Sequence, residues 1–238
     1  MINNSLREIV PNTFKGLKNL NSLILDNNNL ELLTCQSLNY LDTLDNLSLQ
    51  SNEIFFASDN VFEKLSELQK LNLGNNVLEN LESDIFKGNK KLKIINLAYN
   101  KISNLPDDIL HPLESLESIR LGNNSLEGIP THLFAGLNNL KVIHLENNNI
   151  SDIGIKAFSD LKKLKKIELK NNKLKIIKNN TFVNLPALQA ILLDYNEITK
   201  ISTEDFDNLE KLAFIDLRAN ALSLDEVENL RWKHRYFY

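Results

Sequence analysis

Apolar residues recur along this chain with a period of 24. Leu stands at 20, 44, 68, 92, 116, 140, 164, 188 and 212, and the residues after each one repeat in kind as L-x-x-[LI]-x-L-x-x-N-x-[LI]-x-x-[LIA]-x-x-x-x-[FL]-x-x-[LN]-x-x. The first full unit carries Leu20, Leu23, Leu25, Asn28, Leu30, Leu33, Leu38 and Leu41. The sixth carries Leu140, Ile143, Leu145, Asn148, Ile150, Ile153, Phe158 and Leu161. One polar slot is as regular as the apolar ones, with Asn at 28, 52, 76, 100, 124, 148, 172, 196 and 220. The register never slips, so the chain is an array of one supersecondary unit repeated in line.

The pattern within a unit dictates its shape. L-x-L has period two, so Leu23 and Leu25 point one way and Ile24 the other, as in a short strand. A lone strand per unit must pair in parallel with that of the next unit, and the remainder returns behind it, burying its Ile, Leu and late Phe. Each unit buries too little by itself, so stability comes from stacking. The Asn closes the strand at a tight bend. Its amide both donates and accepts, so stacked copies are expected to form a ladder that satisfies backbone groups of adjacent turns. Inner strands lie about 4.8 Å apart and the return side needs more width, which predicts a curved array. Ala57, Asn89 and Asp225 depart from the consensus, and Asn4, Leu6, Ile9, Phe14 and Leu17 match the second half of a unit.

On these motifs the chain resembles the leucine-rich repeat family over roughly residues 4–224, and the 24-residue unit with its late Phe is similar to the typical subclass found in Toll-like receptor, Slit-type and insect immune ectodomains. The resemblance implies an α/β solenoid, a curved horseshoe with a concave parallel β-sheet and an irregular convex side. It also implies a protein-binding role rather than an enzymatic one. The expected organisation is a partial N-terminal repeat over 1–19, nine repeat starts over 20–222, and a C-terminal capping helix and tail over 223–238. Ser223 followed by Glu226 reads as a capping box, and Leu224, Val227, Leu230 and Trp232 are expected to form a face that closes the core. The family's four-Cys terminal cap is absent. Met1–Asn4 is too short and polar for a signal peptide, so the chain reads as a fragment of an extracellular or cell-surface protein.

Composition narrows the function. Leu (45) and Asn (36) dominate, while 27 Lys+Arg against 31 Asp+Glu leave a formal charge of −4. That balance gives no reason to expect a nucleic-acid partner or disorder. No run approaches the ~18 apolar residues of a membrane span. Cys35 is the sole cysteine, which excludes a disulfide scaffold. The histidines occupy unrelated slots, so neither a metal site nor a cofactor site is expected.

Recognition is expected on the concave strand positions that the core leaves free. Ala190, Leu192, Tyr195 and Phe214 gather apolar and aromatic side chains on adjacent strands, with Asp194, Asp216 and Arg218 as a charged rim. Ile94 with Tyr99 forms a second patch. Arg120, His144 and Glu168 share one row and are read as a cross-strand charge ladder, since nothing near them activates a nucleophile. The partner-binding set is thus Ile94, Tyr99, Arg120, His144, Glu168, Leu192, Tyr195 and Phe214. Lys162, Lys163, Lys165, Lys166, Lys170, Lys173, Lys175 and Lys178 make a basic run, and Glu79, Glu82, Asp84, Asp107, Asp108, Glu114 and Glu117 an acidic counterpart. The pair reads as a solvated outer face, with steering of a charged partner or a sulfated glycan as the alternative. Phe55 and Phe56 either form a lateral sticky spot or fill the space left by Ala57. Sequons at Asn3, Asn46, Asn123, Asn149 and Asn179 are glycosylation candidates. The leading expectation is an extracellular recognition module of receptor or innate-immunity type with a protein ligand. The alternative is a structural or adhesion spacer, or a homodimerising scaffold without a concave ligand.

Overall fold

A computed structural model describes residues 2–201, 206 and 208–233, the last five of these by backbone alone. One three-residue strand per unit forms the concave wall: β1 Ser22–Ile24, β3 Asn46–Ser48, β5 Lys70–Asn72, β6 Ile94–Asn96, β7 Ser118–Arg120, β9 Val142–His144, β11 Lys166–Glu168, β12 Ala190–Leu192 and β13 Phe214–Asp216. These nine strands pair in chain order and in parallel. Each register step equals the sequence period, so Ser22 faces Asn46 and Asn46 faces Lys70. On the return side, β2 (Leu32–Leu33) pairs with β4 (Phe56–Ala57), and β8 (Gly128–Ile129) with β10 (Asp152–Ile153). The chain is therefore a parallel-sheet horseshoe, as the repeat requires.

The middle residue of every strand, from Leu23 to Ile215, is buried in one continuous core. Behind it the late aromatics of neighbouring units stack where both units carry one. Ring centroids are 6.2 Å apart for Phe62–Phe86, 5.6 Å for Phe134–Phe158 and 6.0 Å for Phe158–Phe182. Leu110 interrupts that spine between Phe86 and Phe134.

The asparagine ladder is present. Asn148 Nδ2 donates to Leu121 O of the preceding unit at 3.0 Å and to Leu145 O of its own at 3.1 Å, while its Oδ1 accepts from Leu126 N at 3.0 Å. The same three partners recur at Asn52, Asn76, Asn100 and onward to Asn220. Position eight, just before the ladder, is in the left-handed region in every unit, from Asn27 (φ 56) to Ala219 (φ 55). Asn tolerates that conformation better than most residues, which accounts for the run of paired asparagines.

The departures resolve individually. Asn89 is fully buried, and its Nδ2 donates to Phe62 O at 2.9 Å and Leu65 O at 3.0 Å, stitching the return side where Leu stands elsewhere. Phe55 and Phe56 are 54 % and 47 % exposed, so they do not fill the space beside Ala57; they form the lateral spot. At the C-terminus α1 spans Leu224–Lys233, and Glu226 N donates to Ser223 Oγ at 3.3 Å as a capping box requires. The expected closing face is corrected in one respect: Leu224 is 83 % exposed and cannot cover the core, whereas Leu222 packs against it. The side chains of Leu230 and Trp232 lie outside the described residues.

Candidate recognition surface on the concave face

Alternation along each strand decides what faces the hollow. The central residue goes inward, so positions three, five and seven of the unit project from the concave wall. Register then converts sequence spacing into rows. Arg120 faces His144, His144 faces Glu168, Glu168 faces Leu192, and Leu192 faces Asp216.

That row is a charge ladder for part of its length. His144 Nδ1 and Glu168 Oε2 are 2.9 Å apart, and Lys166 Nζ reaches Glu168 Oε1 at 2.5 Å. Glu146, two residues beyond His144, turns back into the same group, with its Oε2 4.0 Å from His144 Nδ1. Burial alone would raise the Glu168 carboxyl, but hydrogen bonds from Lys166 and His144 outweigh it and hold it below the usual carboxylate range. Glu146 moves the other way: burial pushes it up, and the neighbouring Glu168 carboxylate adds to the rise. Glu146 is a residue the sequence reading passed over. The signal that could have found it is its pairing with Gly122 one unit earlier, because a Cβ there would lie 2.3 Å from Glu146 Oε1. The expectation that no metal-ligating set exists is thereby narrowed: ligand atoms of His144, Glu146 and Glu168 all lie within 4.8 Å of one another.

The remaining candidates fall into two places. Tyr99, Arg120 and His144 line one recess of about 340 Å³, together with Asn123, one of the sequon asparagines. Tyr99 is 60 % exposed because the left-handed bend at position eight throws it off the sheet. Ile94 is exposed on β6, between Lys70 and Ser118, and is not brought into that recess. Toward the C-terminus, Ala190 and Phe214 are register partners, both half-buried, and Leu192 lies half-buried beside them. Tyr195 is 57 % exposed at its own left-handed bend, with Lys170 Nζ 5.1 Å from its ring centroid.

The charged rim expected around this patch is different in kind. Asp194 and Asp216 are buried and internally paired, Asp194 with Lys170 at 3.1 Å and Asp216 with Arg218 Nη2 at 2.6 Å. The Arg218 guanidinium holds the Asp216 carboxyl below its ordinary value. Part of the basic run is taken up by neighbours about one unit away: Lys163 meets Asn139, Lys175 meets Glu197 and Lys178 meets Asp152. Exposed pairs of this kind contribute little each.

Among the sequons, Asn3 and Asn179 are exposed, and Asn46, Asn123 and Asn149 are partly so. Asn46 lies on β3 of the concave sheet and donates to Ser22 Oγ at 2.9 Å. No helix among the described residues is long and apolar enough to cross a membrane.

Known proteins share this architecture. A family model described as Leucine rich repeat matches residues 42–102, 66–126, 114–174, 138–198 and 163–222. No curated protein sequence matches the chain. Solved structures do. A chain from the octameric complex of latrophilin 3, Unc5D and FLRT2 (LRR) superimposes with a TM-score of 0.80 at 24 % identity, covering 92 % of this chain and 66 % of that one. The leucine-rich repeat domain of APL1B gives 0.78 at 21 % identity, over 92 % of this chain and 62 % of that one. TLR13, solved with ssRNA13, gives 0.71 at 24 % identity, over 85 % of this chain and 29 % of that one. The chain thus spans less than two thirds of the length of the APL1B and TLR13 chains it matches.

Proposed function

The chain belongs to the leucine-rich repeat family, and from that premise we propose that it is an extracellular recognition module that captures a protein ligand on its concave face. Domains of this family are protein-interaction modules built on a non-enzymatic fold. The observation that carries the reading is the pair of exposed concave tyrosines, Tyr99 beside Arg120 and His144, and Tyr195 in the unit of Ala190 and Leu192, with Phe214 on the next strand. They place apolar area on a surface that the core does not use. Tyrosine offers a large rigid contact area at low conformational cost. The APL1B and TLR13 likenesses favour a receptor or innate-immunity setting, and the latrophilin–Unc5D–FLRT2 assembly favours the cell surface. The site set proposed for contact is Ile94, Tyr99, Arg120, His144, Glu168, Leu192, Tyr195 and Phe214. A nucleic-acid ligand is disfavoured, since Lys166, Lys170 and Arg218 on the wall are each paired with a carboxylate. Glycans at Asn46 and Asn123 would close the N-terminal half of the face and leave the Tyr195 station open.

One observation favours a second reading, a homodimerising scaffold. Leu32 and Phe56 are register partners on the lateral β2–β4 pair, both exposed, with Phe55 beside them. A single experiment separates the two. Leu192→Ser/Phe214→Ser is expected to lose capture of extracellular protein from the tissue of origin by at least about tenfold while the chain stays monomeric in light scattering. Unchanged capture would sink the concave reading, and a concentration-dependent dimer would replace it with the lateral one.

A further inference from the structure

We infer that His144, Glu146 and Glu168 form a binding site for one divalent transition-metal ion on the concave wall. The donors are one imidazole nitrogen and two carboxylates, a set suited to Zn²⁺ and to Mn²⁺ or Fe²⁺. His144 and Glu168 stand on the adjacent strands β9 and β11, and Glu146 lies two residues beyond the end of β9. His144 Nδ1 is 2.9 Å from Glu168 Oε2 and 4.0 Å from Glu146 Oε2, and one ligand atom of each residue lies within 4.8 Å of the other two. Around a tetrahedral zinc with bonds near 2.0–2.1 Å, ligand atoms sit about 3.3 Å apart. The 2.9 Å contact must open by about 0.4 Å and the 4.0 Å contact close by about 0.7 Å, and no separation among the three ligand atoms need close by more than about 1.5 Å.

A second observation sets this group apart from an ordinary exposed charge cluster. Glu146 Oε2 is wholly shielded from solvent and has no hydrogen-bond partner. Buried carboxylate oxygens are normally paired, because stranding one costs its full desolvation. Gly122 makes room for the same carboxylate, since any side chain there would collide with Glu146 Oε1. Nearby cations do not fill the role. Lys166 takes Oε1 of Glu168 and leaves Oε2 facing the histidine. Arg120, the register partner of His144, is exposed toward the recess. The side chains of His144, Glu146 and Glu168 are 24 %, 26 % and 15 % exposed, so the group is fixed yet open on its concave side. Three protein ligands leave the fourth position of a tetrahedral ion to water. The inference does not depend on the recognition reading, since the ion is taken up by the chain alone.

The test uses the chelator-treated chain with zinc chloride as the sole probe, by calorimetry at pH 7.5. One equivalent is expected to bind with Kd in the micromolar range, about −8 kcal/mol. Glu146→Gln, which keeps the volume of the side chain, is expected to weaken uptake by at least about tenfold, whereas His111→Ala leaves it unchanged. Absence of uptake overturns the site, and so does uptake that is equal in wild type and Glu146→Gln. A readout that needs no variant is Co²⁺ substitution. A visible d–d band without thiolate charge transfer supports the nitrogen–oxygen set, whereas a thiolate band assigns the ion to Cys35 and overturns it.

Discussion

Asparagine fills position nine in all nine units, while position five, four residues earlier, carries Ile24, Ser48, Asn72, Asn96, Arg120, His144, Glu168, Leu192 and Asp216. Both positions recur with the same period and lie at the edge of the same sheet. The difference is what surrounds them. At position nine the amide meets one backbone N–H and two backbone carbonyls, whose places are set by the stacking itself. Only a short side chain that donates and accepts at once satisfies all three. At position five the neighbours are other wall side chains at positions three, five and seven, and only some units, such as those of Asn72, Asn96 and Asp216, engage a backbone N–H, so the fold accepts many residues there. Uniformity along the chain marks positions the backbone constrains, and variety marks positions left for a partner.

The hardest test of that contrast lies at a third slot, position nineteen, where the return side behaves as position nine does. Phe158 is fully buried, with its ring between Phe134 and Phe182. Phe158→Ala is expected to cost about 3–5 kcal/mol in urea unfolding, the range of large-to-small changes in a packed core. A cost below about 1 kcal/mol would mean that the aromatic spine packs loosely and that repetition there is no guide to constraint.

Next in size is a direct comparison of the two rows. Asn148→Ala strands Leu126 N and removes one of the two amide donors that Leu121 O and Leu145 O each have, the others being Asn124 and Asn172, and is expected to cost about 1–3 kcal/mol. His144→Ala, four residues away on the wall, loses one partly exposed side-chain hydrogen bond to Glu168 and is expected to cost less than about 1 kcal/mol. Equal costs would erase the distinction between the two positions.

How much of this was legible in the sequence follows the same division. The 24-residue period determines strand position, register and ladder, because each depends on backbone spacing that one chain displays nine times over. The capping box at Ser223 was legible for the same local reason, but the exposure of Leu224 was not, since a helix's docking angle is a tertiary matter. The row of Arg120, His144 and Glu168 could be read from spacing. The inward turn of Glu146 could not, because rotamers at position seven depend on the small residue one unit earlier, here Gly122. Asp194 and Asp216 were misplaced as a rim for the same reason: a carboxylate beside a long cation on its own or the preceding strand folds back onto the sheet.

The smallest effect tests whether position five and position seven differ electrostatically within a single unit step. Glu168 has a folded carboxyl held below its ordinary 4.5, so its ionised form stabilises the fold at pH above that value, and this contribution disappears as pH falls through the folded value. Glu168→Gln should therefore lower the melting midpoint at pH 7 and converge on wild type in acid. Glu146 has a carboxyl raised above 4.5, so the fold favours its neutral form. That advantage is full below pH 4.5 and is lost as pH rises through the folded value. In chelator, Glu146→Gln should then raise the midpoint at pH 7, again converging on wild type in acid. Each effect is expected to stay below about 1 kcal/mol, because both side chains retain some solvent. Thermal melts of the two variants from pH 3.5 to 7.5 check the signs. Shifts of the same sign at pH 7 would show that the two carboxylates sit in equivalent fields, and the opposition between them would be gone.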